Sequence, residues 1–145
     1  KLKDGLNLLT QQFDRVYIDT PPAFNFFTLS ALIAADRVIV PFDCDIFSKR
    51  ALQTLVQNIL ETRQDHNSDL LIEGIIVNQF DPRANLPKEV VQTLVNEGYP
   101  VYDTKLSPSI IMKQSHHQSL PLIYLDPKHK LTQQYAALYQ EIESR

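Results

Sequence analysis

The sequence predicts an α/β fold, a doubly wound and mostly parallel sheet, on three observations. Short apolar runs alternate with stretches of helical periodicity, the order that builds βαβ units. The runs at Arg37 to Phe42 and Leu70 to Val77 are nearly continuous in their apolar residues, as expected when both faces of a sheet are covered. A third run, Phe13-Asp14-Arg15-Val16-Tyr17-Ile18-Asp19, delivers a carboxylate at its end and stops at Pro21-Pro22. Ligands in open α/β sheets bind beyond the carboxyl ends of the strands, so Asp19 stands where a magnesium–phosphate site would be built. The two prolines forbid helix or central strand and force a fixed turn there.

In order along the chain, Leu2, Leu6 and Leu9 share one face of a short helix over residues 2–12. Val16 to Asp19 is read as the first strand. Residues 25–35 form a helix carrying Phe27, Leu29, Leu32 and Ile33, and Arg37 to Phe42 forms the second strand. Over residues 48–62, Leu52, Leu55, Val56, Ile59 and Leu60 make a core-facing stripe, with Lys49, Arg50 and Gln53 off it. His66-Asn67-Ser68-Asp69 is a polar turn before the third strand, Leu70 to Val77, which contains Gly74. Pro87 opens a helix that buries Val90, Val91, Leu94 and Val95, and Gly98 stands where a C-terminal cap belongs. Tyr99 to Thr104 is a fourth strand. Residues 108–118 fit helix or loop, and Leu120 to Tyr124 extends along the sheet. Pro127 precedes a closing helix with Leu131, Tyr135, Leu138 and Ile142 on one face. No repeat, linker or low-complexity stretch divides the chain, so residues 1–145 are expected to be a single domain.

A length of 145 residues suits one domain, and 43% hydrophobic with 21% charged residues is an ordinary globular balance. A net charge of −3 excludes a global nucleic-acid footprint, so any DNA contact must come from a local basic patch. The single Cys44 excludes an internal disulfide framework and fits a reducing cytoplasm. No apolar run approaches the roughly 20 residues of a membrane span, and no secretory leader is visible. The chain starts at Lys1, its only methionine is Met112, and its 3 glycines are too scattered to cradle a phosphate. The expectation is the C-terminal part of a longer protein, inactive on its own.

The motifs carry a family resemblance. Phe13-Asp14 through Asp19-Thr20-Pro21-Pro22 is followed by Leu29-Ser30-Ala31-Leu32-Ile33-Ala34-Ala35-Asp36, then Arg37-Val38-Ile39-Val40-Pro41-Phe42-Asp43-Cys44-Asp45. Glu73-Gly74-Ile75-Ile76-Val77-Asn78, Asp81-Pro82-Arg83-Ala84-Asn85-Leu86 and Leu125-Asp126-Pro127-Lys128 complete the series. In this order they resemble the deviant-Walker ATPases of the ParA/MinD/Soj superfamily, closest to the ParA partitioning branch, over nearly the whole chain.

That resemblance implies a P-loop NTPase-like fold, of which this is the C-terminal part, and ATP with Mg²⁺ as ligands. It makes Asp19 the Walker B carboxylate, orienting magnesium through bound water, with Thr20, Pro21 and Pro22 as the switch turn that senses the γ-phosphate. It places Asn78 near the adenine, and an amide can read a base edge. The family's second adenine wall is an Ile-Pro-Arg-Asn segment. Here it is matched by Leu106-Ser107-Pro108-Ser109, with the proline displaced and the arginine absent. Asp45, beside Cys44, falls in the segment bordering nucleotide and dimer. Arg83 matches an arginine that contacts DNA nonspecifically, and Lys113 stands two residues beyond the place of a second one, at Ile111.

The implied parent is an ATPase that dimerises with ATP, binds nonspecific DNA, works with a ParB-like partner and acts in plasmid or chromosome partitioning. It would be cytoplasmic and nucleoid-associated, with no membrane attachment. The alternatives are a MinD-like cell-division regulator, an amidoligase of the cobyrinic acid a,c-diamide synthase type, and a non-catalytic DNA-binding module. The closing helix, with Gln133, Gln134, Gln140, Glu141 and Glu143, is a poor ligand for anionic lipid, which weighs against the MinD branch. His116-His117 lacks a third ligand at metal spacing, and neither Ser115 nor Ser119 sits in a nucleophile elbow.

Overall fold

The computed structural model describes residues 2–9, 12–44 and 46–145, with the side chains of all of these except 46–48. The elements are α1 (Leu2–Leu9), α2 (Phe26–Ala34), β1 (Arg37–Asp43), α3 (Ile46–Asp65), β2 (Leu71–Asn78), α4 (Asn85–Asn96), α5 (Ile111–Gln118), α6 (Leu122–Leu125) and α7 (Lys130–Glu143). β1 and β2 pair as a parallel two-stranded sheet joined through α3, so the fold class is α/β as expected. Two compact units result: residues 1–38 with 50–72, and residues 39–49 with 73–145.

In the first unit α1 packs beside α2. Asn25 caps α2, its Oδ1 accepting from Phe27 N at 2.9 Å and Thr28 N at 3.2 Å. At the other end of α2, the Asn67 amide donates to Leu32 O at 2.9 Å and Ala35 O at 2.7 Å, satisfying carbonyls the helix leaves open. The polar turn read from the sequence thus closes a helix far from it in the chain. Leu52, Val56 and Ile59 of α3 are buried as predicted, together with Thr62, whereas Leu60 is exposed.

Residues 16–19 are not a strand. Among the described residues no strand lies alongside them to complete a ladder, and Val16, Tyr17 and Ile18 are exposed. Apolar alternation alone does not make a strand where the backbone has no ladder to join. Phe27, one of the apolar residues read on α2, is also exposed, and the buried face of that helix is Thr28, Ala31 and Leu32.

In the second unit Tyr102, Leu106, Leu122, Leu131 and Leu138 form the core, with Ile39, Ile76, Ile111 and Met112 packed against it. The expected fourth strand is reduced to a single parallel bridge between Ile75 and Val101. The backbone bonds show why. Ile75 N donates to Pro100 O at 2.7 Å and Tyr102 N to Ile75 O at 3.0 Å, a regular parallel step. The next donor to β2 should be Thr104 N, but it is Leu106 N, bonded to Val77 O at 2.9 Å. The N–H groups of Asp103 and Thr104 donate instead to the Glu141 carboxylate of α7, at 2.6 and 2.9 Å. The Tyr102 carbonyl takes a hydrogen bond from Lys105 Nζ at 2.7 Å. A side chain from α7 therefore takes the Thr104 N–H that the ladder would have used, and the Asp103 N–H with it.

Residues 111–118 resolve as helix α5, ended by Ser119 at φ +50°. Leu122–Leu125 is the short helix α6, correcting the expected extension along the sheet. Pro87 lies inside the first turn of α4, where a missing N–H costs nothing, and Gly98 follows the helix at φ +83° as its cap position requires. Val90 and Leu94 are buried, while Val95 is half exposed.

Two measurements follow from the Tyr102 neighbourhood. A Cβ on Gly74 would lie 2.7 Å from Tyr102 Cζ and 2.9 Å from Cδ2, inside contact distance of a fully buried ring. Gly74→Ala should cost about 1–3 kcal/mol in urea unfolding, and Tyr102→Leu in the same chain should recover part of it. Burial opposes ionisation of Glu141, but the N–H groups of Thr104 and Asp103, with Arg145 nearby, outweigh it and hold the carboxyl below its ordinary range. A depressed folded-state value means stability that is present above the unfolded carboxylate range and lost as pH falls through the folded value. Glu141→Gln should lower stability at neutral pH and flatten the acid limb of the stability–pH curve.

Candidate functional site

Asp19 sits in an exposed segment without regular secondary structure that enters the Pro21-Pro22 turn. The turn is anchored from its far side, where Thr28 Oγ1 donates to Ala23 O at 2.7 Å. Asp19, Thr20, Pro21 and Pro22 are thus contiguous on an exposed connection into an N-capped helix, with the carboxylate open to solvent. Asp45 lies outside the described residues. Among the described residues no group of three or more His, Cys, Asp or Glu is placed to hold a metal ion. Asp19 offers one hard oxygen donor. That suits Mg²⁺, which takes one or two carboxylates beside waters and phosphate oxygens.

The second unit contains a cleft of about 470 Å³, lined by residues 80–83, 107–109 and 129–131. Three devices hold its walls. At the end of β2, Gln79 adopts φ +54°, a left-handed turn that sends Phe80 N back to Leu106 O at 2.9 Å. Gln134 of α7 grips the facing wall: its Oε1 accepts from Ser107 N at 3.0 Å and its Nε2 donates to Ser107 Oγ at 3.0 Å. The third wall is the start of α7. There Asp126 Oδ1 accepts from Lys128 N and His129 N, and His129 Nδ1 accepts from Leu131 N at 3.0 Å.

Of the residues singled out from sequence, Pro108 and Arg83 meet in this cleft. Asn78 is not part of its lining, and its amide donates to Asp43 Oδ1 at 2.9 Å, across the ends of β2 and β1. Arg83 is forked onto Asp81, Nε to Oδ1 and Nη2 to Oδ2 at 3.1 Å each, while its own N–H donates to Oδ1 at 2.9 Å. These hydrogen bonds hold the Asp81 carboxyl below the usual carboxylate range and raise the Arg83 guanidinium. Lys113 is exposed on α5, outside the cleft lining.

Sequence reasoning missed Gln134, Gln79, His129 and Lys130. The role of Gln134 rests on a contact between distant segments and that of Gln79 on a backbone angle, whereas His129 caps its own helix. Only the Asp-Pro before α7 marked the third wall in advance.

The chain's likenesses agree with the order of its motifs. Residues 1–72 match the AAA domain family. The chain is 33% identical to chromosome partitioning protein ParA of Myxococcus xanthus, over 100% of this chain and 52% of that protein. It is 29% identical to chromosome-partitioning ATPase Soj of Treponema pallidum, over 99% of this chain and 57% of that one. Among solved structures it resembles cobyrinic acid a,c-diamide synthase of Mycobacterium smegmatis with bound ATP analog and magnesium. That match has a TM-score of 0.68 and 26% identity, covering 88% of this chain and 54% of that one. The chain spans about half the length of the curated relatives it matches. Motif order from Asp19 to Pro127, the parallel α/β fold and these likenesses agree, and the chain belongs to the ParA/MinD/Soj superfamily.

Proposed function

We propose that the whole protein is a ParA-like ATPase that binds ATP with Mg²⁺, dimerises on ATP, binds DNA nonspecifically and acts with a ParB-like partner in plasmid or chromosome partitioning. Residues 1–145 are the C-terminal part of its ATPase domain, inactive when isolated, and its site of action is the cytoplasm at the nucleoid. The observation that carries the reading is the cleft beyond β2, which gathers Pro108 and the Asp81-Pro82-Arg83 loop at the carboxyl end of a parallel strand. Its walls, with Pro82, Pro108, Phe80 and several polar groups, offer apolar surface and hydrogen-bonding partners for a nucleobase. Asn78 stands at the same strand end, and Asp45 belongs to the nucleotide border in this reading.

Asp19 is the carboxylate that orients magnesium through water, and Thr20, Pro21 and Pro22 form the turn that responds to the γ-phosphate. Bound magnesium would neutralise phosphate charge, the main need of phosphoryl transfer. Arg83 and Lys113 supply cations for DNA phosphates. The structural likeness to a cobyrinic acid a,c-diamide synthase favours one second reading, an ATP-dependent amidoligase. Glutamine-dependent amide formation by the purified whole protein would select it over partitioning.

In the full-length protein, Asp19→Ala should lower ATP turnover by about a hundredfold or more while the melting temperature holds. Wild-type turnover in a folded variant would reduce this carboxylate to a structural role. Arg83→Ala in the ATP-bound protein should weaken binding to all duplexes alike. The slope of log affinity against log salt should shrink by about 0.9 for each lost contact. An unaltered slope would remove Arg83 from the DNA face.

A further inference from the structure

The cleft's Ser107–Ser109 wall does not hold itself. It follows the point where the chain leaves the β2 ladder, and Pro108 has no N–H with which to rejoin it. The contact that sets Ser107 comes from α7, through both ends of the Gln134 amide at 3.0 Å each. Gln134 is half-buried and is not part of the cleft lining, so it reaches a bound ligand only through Ser107. One turn before it, Lys130 and Leu131 of the same helix do line the cleft. Two turns after it, Glu141 holds Asp103 and Thr104. Residues seven apart share a helix face, so one stripe of α7 sets both ends of the 103–107 segment.

We infer that Gln134 is a positioning residue for the nucleoside part of the ligand: it fixes the Ser107–Pro108 wall at the distance from residues 80–83 that a base requires. This rests on the nucleotide reading of the cleft. The triphosphate and magnesium are assigned elsewhere, to Asp19 and its turn. Gln134 therefore acts on recognition of the base and leaves phosphoryl transfer alone.

The full-length protein tests this by steady-state ATPase kinetics, with inorganic tripolyphosphate as a competing probe that has phosphates and no base. Gln134→Leu keeps the volume and removes both hydrogen bonds. It should raise KM for ATP about tenfold, with kcat within about twofold and tripolyphosphate inhibition unchanged. Gln134→Glu should restore KM, because its carboxylate accepts from Ser107 N–H and from the Ser107 hydroxyl, which rotates to donate. Ser107→Ala, which removes only the hydroxyl bond, should give an intermediate KM and replaces Gln134→Leu if that variant does not fold.

Ser109→Trp, which fills the cleft directly, separates the two levels of the argument. If it raises KM and Gln134→Leu (or Ser107→Ala in its place) does not, the cleft holds the base and the role of Gln134 is overturned. If it leaves KM unchanged, the nucleotide reading of the cleft fails and takes the inference with it. Equal losses against ATP and tripolyphosphate, or no rescue by glutamate, would show a purely structural residue and overturn the inference as well.

Discussion

The second unit depends on a substitution of donors and acceptors: a carboxylate from α7 takes a backbone N–H that a neighbouring strand would otherwise use. Glu141 accepts from Asp103 and Thr104, and the parallel ladder begun at Ile75 slips before it resumes at Val77. Backbone N–H groups that leave a ladder need another acceptor, and here α7 supplies it. Arg145 completes the arrangement. Its guanidinium lies 4.2 Å from the Tyr102 ring centroid, donates to Glu73 O at 3.1 Å and pairs with Glu141 at 3.3 Å. Tyr102 is thus held between a strand with no side chain at Gly74 and a helix end that offers a cation.

Freed from the ladder, the segment after Tyr102 turns across the end of β2 and becomes one wall of the cleft. A regular fourth strand would have kept Ser107 and Pro108 in the plane of the sheet. The facing wall arises from a comparable break, the left-handed Gln79 that stops β2 and returns Phe80 to Leu106. Irregular backbone on both sides of one strand end is what opens a concavity there, and the sheet and α7 keep it open. The site thus combines loop geometry with rigid support, the arrangement that binding sites on α/β scaffolds require.

Among the charges that line the cleft, Arg83 is paired with Asp81, and Lys130 adds a second cation. Arg83 is highly exposed, yet its guanidinium is already forked onto Asp81, so a phosphate approaching it competes with a bidentate carboxylate. Exposed pairs of this kind contribute little to stability and exchange readily with other anions. The pair therefore sets direction more than strength, holding the cation beside the cleft. In a chain of net charge −3, such placement matters more than the total number of cations.

The sequence by itself determined what depends on neighbours in the chain. The buried positions Leu52, Val56 and Ile59 of α3 and Leu131 and Leu138 of α7, the strands β1 and β2 and the left-handed cap at Gly98 are local consequences of residue type, although Leu60 and Tyr135 of the expected stripes are exposed. So is membership of the superfamily, because its motifs are contiguous strings such as Asp19-Thr20-Pro21-Pro22. Pro108 and Arg83, which line the cleft, stood out in the sequence for the same reason. Only the tertiary structure decided which apolar runs become strands, since a strand exists by virtue of its partner. Residues 16–19 and Tyr99 to Thr104 carry strand-like sequence, yet the first has no ladder beside it and the second loses its ladder to Glu141. The cleft was likewise decided in three dimensions. Gln134, Glu141 and His129 work through hydrogen bonds to segments or caps that no periodicity encodes, because the energy of such a bond depends on the meeting of two groups and not on their places in the chain.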